Sequence, residues 1–464
     1  MLKIIEKTGI ITAVLLSILQ FVGYFINTNI PIETLIISFF AFPLRWSYLT
    51  KMSDISKNFT RYFFWLSWDL AMIALPIFSF DAYASTVFSA IDGSSTYIYN
   101  TSDVSFCIFM GISALVLFFL SSIWWVNKTE QNMDYFPTLS KQQVVMASIM
   151  ITIVIFVGSS FSKFFNIGTW GGIGAVYLPF KLAGIINYFT YGFLGFAELF
   201  LLDAMLKKGF NLWVPTIFIV LISICITYVT LSKGNLIVPV SLMLMYLIYT
   251  KRINVKNATA MGLLLLIAFV TASFLSAYRS SRSEIHTKGF GAEGASYSAM
   301  MFTHRIFSEG ITLMKFHAVM PHSELQEELK NCNYNPNTLQ TVVIDRTPET
   351  INSSSGCTPL AGGYAFGYWG FALVSIIFGL GSTFIDYIMP KAKGILSAPA
   401  LRVYVAFFWC FTCRALLINI IAMFFAGQLT QVLFFLFTLF FYVIYLKWYC
   451  KKQYIQQPTA IRIW

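Results

Sequence analysis

Apolar stretches of about 17 to 25 residues, each long enough to cross roughly 30 Å of hydrocarbon, recur along nearly the whole sequence. Only 11% of the 464 residues are charged and 57% are hydrophobic, where soluble domains carry about 25% charge. The chain therefore reads as a membrane protein. Its continuous Ile-, Leu- and Phe-rich runs lack the ten-residue alternation of barrel strands, so the expected fold class is an all-α polytopic membrane protein.

Spans are predicted near 9–27, 32–48, 62–80, 105–126, 143–161, 183–205, 212–231, 235–250, 258–277, 363–388, 401–421 and 427–446, about twelve transmembrane helices. The first, behind Lys3 and Lys7, has no small-residue cleavage site after it and is read as a retained span rather than a signal peptide. Three parts follow: an N-terminal transmembrane bundle over 1–277, a loop over 278–362 between the ninth and tenth spans, and C-terminal transmembrane helices over 363–464. With a cytoplasmic N-terminus, the inner connections collect Arg45, Lys51, Lys57, Arg61, Lys128, Lys141, Lys207, Lys208, Lys251, Arg252, Lys256, Lys391, Lys393 and Arg402, and both termini lie inside. This positive-inside pattern accounts for most of the net charge of +11 and argues against a nucleic-acid partner.

The outer side is poorer in Lys and Arg, and its charge concentrates in the long loop. That loop reads as the one sizeable soluble segment, holding Arg279, Arg282, Lys288, Arg305, Lys315, Lys330 and Arg346, nearly balanced by acidic residues, and all four histidines, His286, His304, His317 and His322. It also holds Cys332 and Cys357, for which an exported location suggests a disulfide. No HxxxH, CxxC or DxD-like pair accompanies the histidines, so neither a metal site nor any other cofactor is expected. No G-x-S-x-G marks a serine hydrolase.

Arg279 and Arg282, three residues apart at the exit of a helix, either grip one anion with planar donor forks or simply snorkel to the interface. Lys233 sits in a tight outer turn, "TLSKGNL". Arg414 lies inside a predicted span, where a guanidinium costs at least about 2.5 to 3.5 kcal/mol. It calls for a partner, for which Asp69, Glu198 and Asp203 are the acidic candidates, or for a water-filled cavity holding a lipid-borne phosphate. Tyr278, Tyr297, Tyr364, Tyr368 and Trp369 near the outer boundary read as an interfacial aromatic belt, with stacking on sugar faces as the sharper alternative. The glycines of "AGGYAFGYWGFALVSIIFGLG" read as helix packing.

Between Ile226 and Gly427 the layout resembles the Wzy family of O-antigen and related oligosaccharide repeat-unit polymerases. "ITYVTLSKGNLIVPVSLMLMYLIY" resembles that family's helix, basic turn and returning helix. "AYRSSRSE" falls at its basic loop entrance, "MMFTHRIFSEGITL" resembles an Arg-bearing helix, and "IDRTPETIN" with the Gly-rich stretch resembles the end of its loop. The turn carries Lys233 where relatives often have Arg. The resemblance implies a GT-C-like membrane glycosyltransferase of the bacterial inner membrane, active at the periplasmic face on undecaprenyl-pyrophosphate-linked donor and acceptor glycans, with a Wzz-type chain-length regulator as partner.

A departing pyrophosphate gathers negative charge that preorganised cations stabilise. Arg279, Arg282, Arg305 and Arg414, with Lys233 and Arg346 as weaker members, are the expected pyrophosphate-binding set. The acceptor hydroxyl needs a base, and His304, Glu309 and Asp345 are the candidates, His304 leading because imidazole accepts a proton near neutral pH. The rival readings are an O-antigen ligase, which shares the donor, and a flippase or other transporter of lipid-linked oligosaccharides. Transporters usually show repeated halves and short outer loops, neither of which is visible here.

Overall fold

The computed structural model describes residues 7–89, 95–125, 140–164, 198–199, 201–230, 234–281, 308–344, 346, 357–388, 399–407 and 409–410. Its helices are α1 (Thr8–Ile26), α2 (Ile32–Phe39), α3 (Ala41–Lys51), α4 (Phe59–Asp69), α5 (Thr101–Ser122), α6 (Lys141–Phe164), α7 (Trp213–Thr230), α8 (Gly234–Tyr249), α9 (Val255–Ser281), α10 (Ser308–Val319), α11 (His322–Asn331), α12 (Pro359–Ala365), α13 (Tyr368–Thr383) and α14 (Pro399–Phe407), with shorter turns between. A two-stranded antiparallel hairpin, β1 (Val87–Ser89) and β2 (Thr96–Ile98), precedes α5. Among the described residues, Thr8–Ile26, Thr101–Ser122, Lys141–Phe161 and Tyr368–Tyr387 are long and apolar enough to cross a membrane, and Trp213–Thr227, Leu236–Tyr249 and Val255–Thr271 are shorter apolar helices. The described residues thus form a mostly helical protein with helices of membrane-spanning length.

Two compact units interleave along the sequence. The first takes Met1–Glu130, Met301–Met389 and Ala406–Leu429. In it α1 lies antiparallel to α3 and parallel to α4: Gly9 meets the Leu49 carbonyl, while Thr12 reaches Tyr62 and Asn27 the carbonyl of Ile77. Helix α4 continues through a π turn, Leu70–Ala74, into Leu75–Phe78. Helix α5 returns against it, packing Phe118 on Phe64 and Trp68, and α13 runs parallel to α5. The expected packing role of the Gly-rich stretch is seen at Gly363 and Gly370, where a Cβ on Gly363 would stand 2.9 Å from the Gly370 carbonyl oxygen.

Charge placement corrects part of the topological reading. Arg45 and Arg61 are fully buried, not in solvated connections. Arg45 donates from Nε and Nη2 to the two oxygens of Asp69, both at 2.6 Å, and from Nη2 to Gln20 Oε1 at 3.0 Å. Trp65 Nε1 adds a third donor to Asp69, at 3.2 Å. Arg61 meets Asp386 at 3.3 Å, and the same carboxylate accepts the backbone N–H groups of Thr60 and Arg61 at 3.0 and 2.9 Å. Arg61 also donates to Asn58 Oδ1 and to the Ser122 carbonyl. A guanidinium in an apolar bundle is tolerated only when its charge and its N–H groups are answered in this way.

The described part of the loop is folded onto neighbouring helices. Its described helices belong to the first unit, and α10 buries Ile311, Leu313, Met314 and Phe316 against α5 and the π turn. Gly310 makes this depth possible, because a Cβ there would lie 2.5 Å from the Ala71 carbonyl oxygen and 2.9 Å from Cys107 Sγ. Cys332 and Cys357 are both buried, and both are thiols, so the expected disulfide is not formed. Each is positioned by its own main chain: Cys332 caps α11 through its N–H to the Glu328 carbonyl, and Cys357 donates its N–H to Asn337 Oδ1.

The second unit takes Gln131–Met300, Pro390–Val405 and Thr430–Trp464. Its helices α6 and α7 pack with the 201–207 helix through Leu201, Ile222 and Ile226, and through Val144, Ala204 and Met205. The other face of α6 leaves Met146, Met150, Ile153 and Val157 exposed at helical spacing, as lipid contact requires. Arg402, counted among the inner loop charges on sequence, is buried and donates to Tyr249 OH at 3.3 Å.

Replacing Asp69 by Ala strands a buried guanidinium, and the expected loss is about 3 to 5 kcal/mol. The double change Arg45→Met with Asp69→Leu removes both charges and should recover most of that loss. Thermal unfolding of the detergent-solubilised variants checks it: equal melting points for the single and double variants would mean that the ion pair does not govern this core.

Candidate functional site

Helix α5 starts with a reciprocal cap. Asn100 Oδ1 accepts the Asp103 N–H at 3.2 Å, and Asp103 Oδ2 accepts the Asn100 N–H at 2.8 Å. The arrangement answers two donors that the first turn of a helix leaves open. It also fixes the Asp103 carboxylate, only 2% exposed, with its other oxygen turned to α10. There Oδ1 meets His317 Nδ1 at 2.6 Å across 214 residues of sequence. The imidazole is one-third exposed and stacks on Phe106 at 4.3 Å with the planes 17° apart.

A carboxylate on one ring nitrogen sets the orientation of an imidazole and leaves the other nitrogen to exchange a proton with a ligand. Asp103 and His317 have that relation. Tyr99 lies just before the cap, and burial, reinforced by the negative charge of Asp103, raises its phenol well above the ordinary range.

From Phe106 further rings continue toward the start of α13. Phe106 contacts Tyr364 at 5.2 Å, Tyr364 contacts His322 at 4.8 Å, and His322 contacts Tyr368 at 5.3 Å. His322 Nε2 is 3.2 Å from the Tyr364 carbonyl oxygen. Tyr364 is almost fully buried, whereas Tyr368 is 57% and Trp369 89% exposed. Gly367 links the two tyrosine-bearing helices with φ at +98°, and a Cβ there would stand 2.9 Å from Gln326 Nε2.

Of the residues expected on sequence grounds, Glu309 and Arg346 are well placed for comparison. Glu309 is buried to 1% exposure and accepts the Leu360 N–H at 3.3 Å, which pins α12 to α10. That bond uses one oxygen of the carboxylate, Oε2. Arg346 is exposed, holds a left-handed backbone with φ at 52°, and donates from Nη2 to Tyr97 OH on β2 at 3.3 Å. Strand β2 also touches α10, which brings Arg346 and the Asp103–His317 pair to the same end of the unit. Arg279 falls in the last turn of α9, with its side chain outside the described residues. His304, Asp345, Arg282, Arg305, Arg414 and Lys233 also lie outside them.

Two of the acids expected as partners for Arg414 have other partners. Asp69 holds Arg45, and Asp203 accepts from Tyr246 OH and pairs with Lys207 at 3.4 Å. Among the described residues no group of three or more His, Cys, Asp or Glu side chains is arranged to hold a metal.

The sequence does carry a trace of the Asp103–His317 pair. Asn100 and Asp103 stand at capping spacing just ahead of an apolar run, a pattern that marks a buried carboxylate at the mouth of a span. Only the folding of α10 against α5 identifies His317 as its partner.

Gly367→Ala should cost about 1 to 3 kcal/mol, since the new side chain meets a left-handed backbone and Gln326 together. A lowered melting point with faster proteolysis between α12 and α13 would be the signature, and an unchanged melting point would show that this junction is free to relax.

Comparison of the sequence with protein families and curated proteins, and of the fold with solved structures, finds no match, so the site's own geometry carries the functional argument.

Proposed function

We propose that the chain is a membrane glycosyltransferase that polymerises undecaprenyl-pyrophosphate-linked oligosaccharide repeat units at the periplasmic face of a bacterial inner membrane. The observation that carries this reading is an oriented, part-exposed imidazole. His317 is held by Asp103 on one nitrogen, beside a row of rings and at the same end of the unit as Arg346. The resemblance of the second half of the chain to repeat-unit polymerases supplies the reaction.

In this reading the acceptor sugar hydroxyl attacks the anomeric carbon of the donor glycan. The bond from that carbon to the pyrophosphate oxygen breaks, the hydroxyl proton passes to His317 Nε2, and undecaprenyl pyrophosphate departs as the anion. Asp103 stabilises the imidazolium that forms and keeps Nε2 toward the hydroxyl. Arg346 answers charge on the leaving pyrophosphate; Arg279, Arg282, Arg305, Arg414 and Lys233 stand beside it only as candidates from the sequence. Charge that appears only as the bond breaks is where fixed cations contribute most. His317 leads as the candidate base because it is one-third exposed where Glu309 is 1% exposed; Glu309, His304 and Asp345 stay beside it as candidates from the sequence.

The test is the surface-glycan ladder of a strain lacking the gene, complemented with wild type, His317→Ala, Asp103→Asn, Arg346→Ala or Glu309→Gln at matched protein levels. The deletion should leave core carrying a single repeat, and wild type should restore the ladder. His317→Ala should lower polymerisation by about 10² to 10⁴, the range of a lost general base, with Asp103→Asn and Arg346→Ala also impaired and Glu309→Gln active wherever it folds. A deletion strain without even the single repeat would point to a ligase or flippase. A normal ladder in the deletion strain would end the polymerase reading.

A further inference from the structure

The rings between His317 and Tyr368 carry a second assignment. Phe106, Tyr364, His322 and Tyr368 follow one another at centroid distances of 5.2, 4.8 and 5.3 Å, from the half-buried Phe106 on which His317 stacks out to a tyrosine 57% exposed. An interfacial belt needs only separate rings at one depth. This row runs inward, and its members touch.

Both imidazoles are fixed by one bond each, His322 Nε2 to the Tyr364 carbonyl and His317 Nδ1 to Asp103. That leaves Nδ1 of His322 and Nε2 of His317 for a ligand's hydroxyls. A ligand suited to such a row has flat apolar faces with polar groups around the rim, and a pyranose ring has both: axial C–H groups to lie on aromatic faces and equatorial hydroxyls to meet ring nitrogens. Gly367 is the hinge that lets the row form, since its φ of +98° brings Tyr368 back over His322 with no side chain in between.

We propose that Tyr368 and His322, backed by the buried Tyr364 and leading to the half-buried Phe106, form a carbohydrate-binding shelf that receives the acceptor glycan and delivers its terminal sugar to His317. The assignment to an acceptor rests on the polymerase reading above, and the shelf makes Tyr368 and His322 specificity-determining residues of that reaction. The outermost sugar lies on Tyr368, and the sugar whose hydroxyl reacts lies nearest Phe106 and His317.

Binding can be measured apart from turnover. The probe is the set of oligosaccharides released by mild acid from the surface polysaccharide of the strain that carries the gene, titrated into the full chain in lipid nanodiscs and followed by saturation-transfer NMR. Wild type should transfer saturation to the sugar C–H protons. Tyr368→Ala and His322→Gln should each weaken binding by about fivefold or more, the loss of one stacking ring, and Tyr368→Phe should retain it.

Wild type that gives no transfer, or Tyr368→Ala and His322→Gln that both bind as wild type, overturns the shelf; if His317→Ala still abolishes the ladder in that case, the polymerase reading stands without it. Binding that weakens as expected, alongside a ladder indifferent to His317→Ala, keeps the shelf and removes the polymerase chemistry.

Discussion

The contact on which the architecture of the first unit depends is the pairing of Arg61 with Asp386, which joins residues 325 apart in sequence. Asp386 accepts two backbone N–H groups from the first turn of α4 and the guanidinium of Arg61, so one carboxylate answers a helix end and a buried cation together. Neither residue could be buried alone at tolerable cost. Their pairing fixes the register of the apolar helix after the loop against a helix from the N-terminal part, with Phe378 brought onto Phe64 and Trp68. With α13 held parallel to α5, the starts of both helices come to one end, and α10, α11 and α12 are gathered there between them. The Asp103–His317 pair and the ring row exist only because of that alignment.

The Arg45–Asp69 pair has a related role within the N-terminal helices, tying α3 to α4 while Gln20 links α1 to the same guanidinium. Asp69 is the last α-helical residue before the π turn at Leu70–Ala74. That turn presents the Ala71 carbonyl to Gly310, and so the ion pair and the seat of α10 are neighbours on one helix. Weakening the pair should therefore be felt at the candidate site, through the helix that carries His317.

How far this was legible in the sequence follows from the range of each interaction. Hydropathy over some twenty residues is a local property, and α1, α5, α6 and α13 lie close to where the apolar runs place them. Charge was less transparent. Arg45 and Arg61 look like topogenic loop charges because nothing nearby in sequence announces Asp69 or Asp386, and a buried ion pair reads as a solvated one until the helices are assembled. The loop's mixed polar composition says nothing of its packing: Ile311, Leu313, Met314 and Phe316 supply the apolar surface by which α10 packs on neighbouring helices. For the site, Arg346 was visible as an outer cation and Glu309 as an acid close to arginines. Proximity in sequence could not show that Glu309 also accepts the Leu360 N–H, 51 residues on.

The chemistry proposed for this end of the molecule requires two environments side by side. A pyrophosphate asks for cations in water-accessible positions, and Arg346 meets that need from a left-handed backbone steadied by Tyr97. A sugar hydroxyl asks for a base among rings, and in the proposed reading that base is His317, its orientation set by the cap of α5. The capping box joins stability to orientation: Asp103 gives one oxygen to the helix backbone and one to His317, so the group that starts a membrane helix also orients the imidazole. A substitution at Asp103 accordingly touches stability and orientation together, while Asn100→Ala touches chiefly the first, and the difference between the two isolates what the carboxylate contributes to His317.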